Sequence, residues 1–426
     1  MGGRYEGWDP TPISCALLTS AALALLSTPL AAASQLGPPR PDSAAIEVSL
    51  ITTGPGTAVS SRFGHAALRI RDAETGSDLA FSYGRSGLDA PPDASLLLQG
   101  RLPQGGGTED AQTLLARYAD EGRSIWIQTL DLSPVEIKHL IDDLSSRRGL
   151  GPPYHFFSAN CSTELRDALD RAWGGALRAR TDGSVSGTTT LRSLMSGFTA
   201  TDPVLHTLAN LLLGSHVDRP ATRWEQMYLP ATLRQGLRGL HRTDESGRRT
   251  SLVRREEVRA GTLPNQSPEA RDPFMWGYLV VGVALGGILA ALGLGAPRNR
   301  AAHMSFRVAG TMWTLTSGLL GFLMLVLWFF SEPSLGQWNA NLLLASPLAL
   351  PLGVVAWETR LARALMIAIL ATSMLALVLM LLPGPAQSTG IFVALFLPAH
   401  LGLAWGIRRL GRPRAATTWP EAPDHL

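Results

Sequence analysis

One thiol and one imidazole carry the chemistry that this chain can perform. Cys161 is one of two cysteines in the 426 residues, and the other, Cys15, lies in an apolar run near the N-terminus. A thiol attacks a carbonyl carbon as the thiolate, which is a minor species at neutral pH. A cysteine nucleophile therefore needs a base, and we interpret His65 as that base.

The residues around Cys161 predict that it opens a helix. Leu165, Leu169 and Trp173 follow at helical spacing, and Asn160 or Ser162 can supply the N-cap. The free N–H groups and the positive dipole at a helix N-terminus stabilise an anion such as a thiolate. This position suits a cysteine nucleophile.

His65 lies at the start of a predicted strand, after Gly64, whose small size lets another backbone approach. His155, six residues before Cys161, is the alternative base. A purely structural role for both residues also stays open, because a lone cysteine is often a small buried apolar residue and a strand histidine often has only a structural role.

Other classes of site have no support in the sequence. It contains no G-x-S-x-G elbow, no H-E-x-x-H, no Walker A motif and no cysteine pairs for zinc. We therefore expect no metal and no cofactor. The net charge of +3 resides largely in loops predicted to be cytoplasmic, so we expect no nucleic-acid partner.

The chain divides into four parts. Arg4, an apolar run over 16–26 and small residues at 31–33 are typical of a signal peptide over 1–33, with an uncleaved anchor as the alternative. An external domain follows over 34–272. Within it, we expect strands near 46–51, 66–71, 79–83 and 124–130, a helix over 134–144, short helices and loops over 181–230, a loop over 91–107 and a charged linker over 241–272.

Residues 273–410 predict a transmembrane bundle, and 411–426 a cytoplasmic tail. Five apolar stretches lie near 274–295, 305–330, 342–357, 362–382 and 390–407, of which the third is short and must be broken or barely tilted. The loops predicted to be outside, 331–341 and 383–389, have no Lys or Arg, whereas each predicted inside segment has arginines. This agreement with the positive-inside rule favours five spans, with the external domain outside the cytoplasm.

Several segments together resemble the family of the Lnb N-terminal periplasmic domain, named for a lipoprotein N-acyltransferase. They are SRFGHAALRI (61–70), FSYG (81–84), FFSANCSTELRD (156–167), LGSHVDRP (213–220), WEQMYLP (224–230) and WNANLLLASP (338–347). The resemblance implies an α+β papain-like fold of the NlpC type, permuted so that the histidine precedes the cysteine, followed by the helical membrane bundle. It identifies Cys161 and His65 as the catalytic pair.

The resemblance also implies a function. The protein would move an acyl chain from a phospholipid through a thioester on Cys161 to the N-terminal amine of a lipoprotein, in the bacterial inner membrane with the catalytic domain in the periplasm. His155, Asn160, Tyr83 and Glu225 are candidates for supporting roles. The outer-loop residues Trp338, Asn339 and Asn341 would shape the entry from the membrane, or simply cap helices at headgroup level. The alternatives are a periplasmic cysteine peptidase or amidase acting on cell-wall peptides, and a non-catalytic membrane scaffold.

Overall fold

The computed structural model of the protein describes residues 46–84, 105–147, 152–183, 185–243, 247, 249–263, 274–330, 336–382, 387 and 389–410. The predicted signal over 1–33 and the predicted tail over 411–426 lie outside the described residues, as does most of the predicted loop over 91–107.

A six-stranded antiparallel sheet forms the centre of the external domain, with strand order β10-β5-β1-β2-β3-β4. Its strands are β1 (Ile46–Thr53), β2 (His65–Asp72), β3 (Asp78–Tyr83), β4 (Gly106–Asp110), β5 (Ile125–Leu130) and β10 (Val253–Arg259). Two small antiparallel pairs lie outside this sheet: β6 (Val185–Thr190) with β7 (Pro220–Thr222), and β8 (His241–Thr243) with β9 (Arg249–Ser251).

Helices cover both faces of the sheet, so the domain has three layers. The helices of the external domain are α1 (Ala111–Asp120), α2 (Pro134–Ser146), α3 (Cys161–Ala172), α4 (Ala176–Thr181), α5 (Leu191–Thr199), α6 (Pro203–Leu212), α7 (Arg223–Gln226) and α8 (Pro230–Arg238). Alternate residues of each strand point to opposite faces. Leu50 and Leu68 accordingly lie in one core with residues of α2, α3 and α8, while Ile51 and Ala67 lie in a second core with residues of α1.

The predicted strands of β1, β2, β3 and β5 and the predicted helix α2 are confirmed. The expectations for 91–107 and 241–272 were wrong in part, since β4 begins at Gly106 and β8 to β10 occupy much of 241–259. Both β4 and β10 are edge strands. Edge strands often carry charged residues and need not alternate apolar with polar positions, which is why their sequences did not predict strands.

In the described part of the chain, four helices are long and apolar enough to cross a membrane. They are α9 (Met275–Gly295), α10 (Arg300–Phe330), α12 (Arg360–Leu381) and α13 (Gly390–Leu410). Within the bundle, His400 of α13 lies 3.0 Å from the Ser373 hydroxyl of α12, as expected for a buried polar residue that bonds a neighbouring helix.

The third predicted span is not one continuous helix. Over 336–357 the chain forms a 3₁₀ turn (Ala340–Leu343) and a short helix, α11 (Ala349–Val354). Pro347 and Pro351 each lack a backbone N–H and prevent a continuous helix. The segment nevertheless follows α10 along its length, as the contacts of Gly336 with Leu327 and of Trp357 with Phe306 show.

A buried polar cluster joins the external domain to the bundle at the C-terminal end of α6. Arg192, 3% exposed, donates to the carbonyls of Asn210, Leu213 and Gly214 and pairs with Asp218. From the bundle side, the Asn339 amide donates to the Leu211 carbonyl at 2.8 Å, and the Gln387 amide donates to that of Leu213 at 3.2 Å. Helix-end carbonyls have no intrahelical partner. Here both domains supply donors for them, which fixes the position of α6.

Candidate active site

Cys161 is the first residue of α3, and Asn160 is the N-cap. The Asn160 side-chain oxygen accepts from the amides of Ser162 at 2.8 Å and Thr163 at 3.1 Å. Its amide nitrogen donates to the carbonyls of Phe156 at 2.6 Å and Tyr228 at 3.1 Å. Asn160 therefore ties the start of α3 to two other segments and sets the position of the thiol.

The sulfur of Cys161 is partly buried beside strand β2. Burial raises the pKa of the Cys161 thiol above its ordinary value. The backbone amides of Ala66, Ser162 and Cys161 act in the opposite direction without cancelling it. The resting cysteine is therefore the neutral thiol, and attack on a substrate requires transfer of its proton to a base.

His65 is the first residue of β2, and its neighbour Ala66 contacts the sulfur. Its backbone amide donates to the Thr53 hydroxyl at 3.1 Å, and Thr53 is its partner in the β1–β2 ladder. Gly64 has φ of +83°, and a β-carbon there would overlap the Thr53 carbonyl oxygen. Only glycine fits this close approach of the two backbones. Gly64 therefore determines where strand β2 begins and where His65 lies.

Cys161 and His65 both line one small cavity. Its volume is about 60 Å³, and its lining is Ser60, Phe63, Gly64, His65, Tyr83, Gly84, Tyr154, Phe156, Asn160, Cys161, Tyr228, Leu229 and Pro230. Pockets that enclose drug-sized ligands have volumes of about 300–1,000 Å³. This cavity accommodates a small reacting group, and the remainder of any larger substrate has to lie outside it.

The other sequence candidates separate into two groups. Tyr83 and Asn160 line the cavity. His155 is not among the described residues that line it, and its Nδ1 lies 2.7 Å from the Ser158 hydroxyl and accepts from the Ser158 amide at 3.1 Å. These contacts hold the turn that leads into α3, which gives His155 a structural role.

Glu225 has a clear structural partner. It pairs with Arg219 and accepts from the Thr222 amide at 2.9 Å, which completes the N-terminal cap of α7. Burial acts to raise the pKa of Glu225, but Arg219 and Thr222 hold it below its ordinary value. Glu225 is not among the described residues lining the cavity.

Two of the outer-loop candidates, Asn339 and Asn341, are 2% and 0% exposed, and their amides donate to the end of α6. The third, Trp338, is 64% exposed and packs against Trp328. The two asparagines join the domains, and neither lines the Cys161 cavity in the described part of the chain.

The sequence prediction missed four aromatic residues of the cavity: Phe63, Tyr154, Phe156 and Tyr228. Burial, and then the proximity of Cys161, raise the pKa of the Tyr154 hydroxyl, which keeps it a neutral hydrogen-bond donor next to the sulfur. All four lie within or next to the segments that carried the family resemblance, and this was the signal that could have found them.

The fold and the cavity place the chain in a class of membrane protein in which an α+β domain, with a partly buried cysteine at the start of a helix, is joined to a helical membrane domain. Residues 40–197 match the Lnb N-terminal periplasmic domain, and residues 279–406 match the Lnb transmembrane domain. The chain belongs to the Lnb family, as a multi-pass membrane protein with a periplasmic domain. Neither the comparison with curated proteins nor that with solved structures gives a match.

Proposed function

We propose that the protein is a cysteine-dependent acyltransferase of the bacterial inner membrane. It takes an acyl chain from a phospholipid ester, holds it as a thioester on Cys161 and transfers it to the N-terminal amine of a lipoprotein. The observation that carries the proposal is the shared cavity of Cys161 and His65 in a domain docked onto membrane helices. The order of histidine before cysteine along the chain, which the family resemblance links to a permuted papain-like enzyme, also supports the proposal.

The reaction has two steps. In the first, His65 takes the thiol proton while the sulfur attacks the ester carbonyl, and the imidazolium returns the proton to the departing alcohol. In the second, the amine attacks the thioester carbonyl, His65 takes a proton from the nitrogen, and that proton goes to the departing sulfur. An amide forms and the neutral thiol is regenerated.

The first-turn amides are suited to stabilise the oxyanion of these steps. The amides of Cys161, Ser162 and Ala66 already act on the sulfur. Donors placed in advance around a developing negative charge contribute a large part of catalysis in acyl transfer. The neutral Tyr154 hydroxyl is a further donor at the same cavity.

We further propose that the broken segment over 336–357 is a fifth membrane crossing. It lies along α10 from Leu327 to Phe306, a rise of about 31 Å, which matches the hydrocarbon core of a bilayer. Irregular backbone is tolerated at that depth where protein buries it, and Leu344, Ala345 and Leu352 are all fully buried. Five crossings place the arginines next to α12 in the cytoplasm, as the positive-inside rule requires.

The test is a reconstitution of the full chain in phospholipid vesicles with a diacylglyceryl lipopeptide as the acceptor. We expect mass spectrometry to find an acyl group on Cys161, labile to hydroxylamine, and an N-acylated lipopeptide. Cys161→Ala should abolish both products. His65→Ala should slow transfer by about 10²–10⁴-fold, the usual contribution of a general base.

His139→Ala is the matched control, because His139 is an exposed residue of α2. It should keep the parent rate. Transfer that persists in Cys161→Ala, or equal rates for His65→Ala and His139→Ala, would contradict the proposed mechanism. Cleavage of cell-wall peptides without any acylation of the lipopeptide would favour the peptidase instead.

A further inference from the structure

Helix α6 lies at the outer end of the membrane bundle. The Thr207 hydroxyl bonds the Tyr278 hydroxyl in the first turn of α9, and the His206 ring packs against Phe274 at 5.3 Å between centroids. At the C-terminal end of α6, the Asn339 amide donates to the Leu211 carbonyl. These contacts place α6 at the level where α9 enters the membrane, and aromatic residues such as Tyr278 are typical of that level.

The polarity of α6 is the reverse of that of a helix on the surface of a soluble protein. Its polar residues His206 and Asn210 are 0% and 4% exposed, and they bond Thr199 and Ser196 of α5. Val204 and Leu208, one turn apart, are 69% and 40% exposed. A helix that faces water directs apolar residues inward, so this outward apolar face is suited to lipid.

The exposed face of α6 adjoins the side that contacts the bundle. At 100° per residue, Val204 lies about 60° around the helix from Thr207 and about 20° from Leu211, both of which face membrane helices. The apolar face of α6 is therefore directed toward the lipid that surrounds α9.

The cavity of Cys161 connects to the same surface. Val59, 62% exposed, lies in the 3₁₀ turn Val59–Ser61, and Arg62 links this turn to Asp202, the N-cap of α6, at 3.8 Å. The next residue, Phe63, lines the cavity and packs against Phe156 at 4.8 Å between centroids. The turn that carries Val59 therefore lies between the N-terminal end of α6 and the cavity.

We propose that Val59, Val204 and Leu208 form a rim patch that inserts into the outer leaflet and admits the acyl chain to Cys161 past Phe63. The occupant is the lipid of that leaflet. That the lipid is a substrate rests on the proposed function. The insertion of the patch can be measured without any activity. It accounts for the small volume of the cavity, because the bilayer itself holds most of the substrate.

Spin labels test the insertion directly. Val204→Cys and Leu208→Cys are each labelled in a full-length Cys15→Ser, Cys161→Ser background in phospholipid vesicles. We expect each spin label to collide more often with oxygen, which partitions into the bilayer, than with a water-soluble nickel chelate. Val135→Cys is the matched control, since Val135 is 62% exposed on α2, and it should show the opposite order.

Labels at 204 and 208 that are as accessible to the chelate as the label at 135 would overturn the proposal. Low accessibility to both reagents would do the same, since it would mean that protein covers the patch. If the patch inserts but no acyl transfer occurs, the proposed function fails while the membrane contact stands.

A second measurement tests the route of the acyl chain. In Val204→Asp with Leu208→Asp, we expect the rate on a long-chain phospholipid in vesicles, relative to the rate on a water-soluble short-chain ester, to fall about tenfold or more. Val135→Asp should leave this ratio unchanged. An unchanged ratio in the double variant, with its melting temperature retained, would exclude the patch as the entry.

Discussion

Asn160→Ala tests whether one side chain positions the nucleophile. The change removes the N-cap of α3, which costs about 1 kcal/mol. It also removes the donor to two carbonyls, those of Phe156 and Tyr228, and each costs about 1 kcal/mol when left buried without a partner. Asn160 is 5% exposed, so water does not readily replace these bonds. The total is about 3 kcal/mol.

Hydrogen exchange with mass spectrometry gives the appropriate local readout, because the protein has two domains and a global melting temperature mixes them. A loss of about 3 kcal/mol predicts that the amides over Cys161–Ala172 exchange about 100-fold faster, while those of α12 are unchanged. Asn299→Ala is the matched control, since Asn299 accepts from the Ala301 amide at the exposed start of α10. Its effect should be confined to α10.

If hydrogen exchange in α3 of Asn160→Ala is accelerated less than about fivefold, Asn160 is not what holds the thiol in place. This result would mean that packing, and not the asparagine, fixes the start of the helix.

Two further predictions concern the dyad. Gly64→Ala should destabilise the domain by about 1–3 kcal/mol and reduce turnover by displacing His65. Gly76→Ala, at φ of +72° with no neighbouring atom near the added carbon, should keep the parent turnover. Turnover and melting temperature are measured for both variants, and equal turnover would contradict the role of the Thr53 contact. Because burial raises the pKa of the Cys161 thiol, its alkylation by iodoacetamide should accelerate steadily from pH 6 to pH 9, and a plateau below about pH 7 would instead reveal a preformed thiolate.

Much of the external domain could be predicted from the sequence. Alternation of apolar and polar residues marked β2, and the asparagine followed by helical spacing placed Cys161 at the start of α3. These features are local, so residues a few positions apart determine them. The four long membrane helices were predictable for the same reason, since apolar length alone identifies them.

The edge strands and the broken crossing were less predictable. The charged sequence of β10 gives no strand pattern, and its pairing with β5 depends on a strand more than a hundred residues away. The segment over 336–357 is apolar, but its contacts with α10 and not its own sequence determine its path.

From the sequence one could identify the residues able to react and the strand or helix end at which each one lies. The folded structure was needed to see that, among the described residues, His65 and not His155 lines the cavity of Cys161, and that Asn339 and Asn341 join the two domains. Hydrogen bonds at helix ends and strand pairing join residues that are far apart in the sequence, so local residue spacing does not predict them.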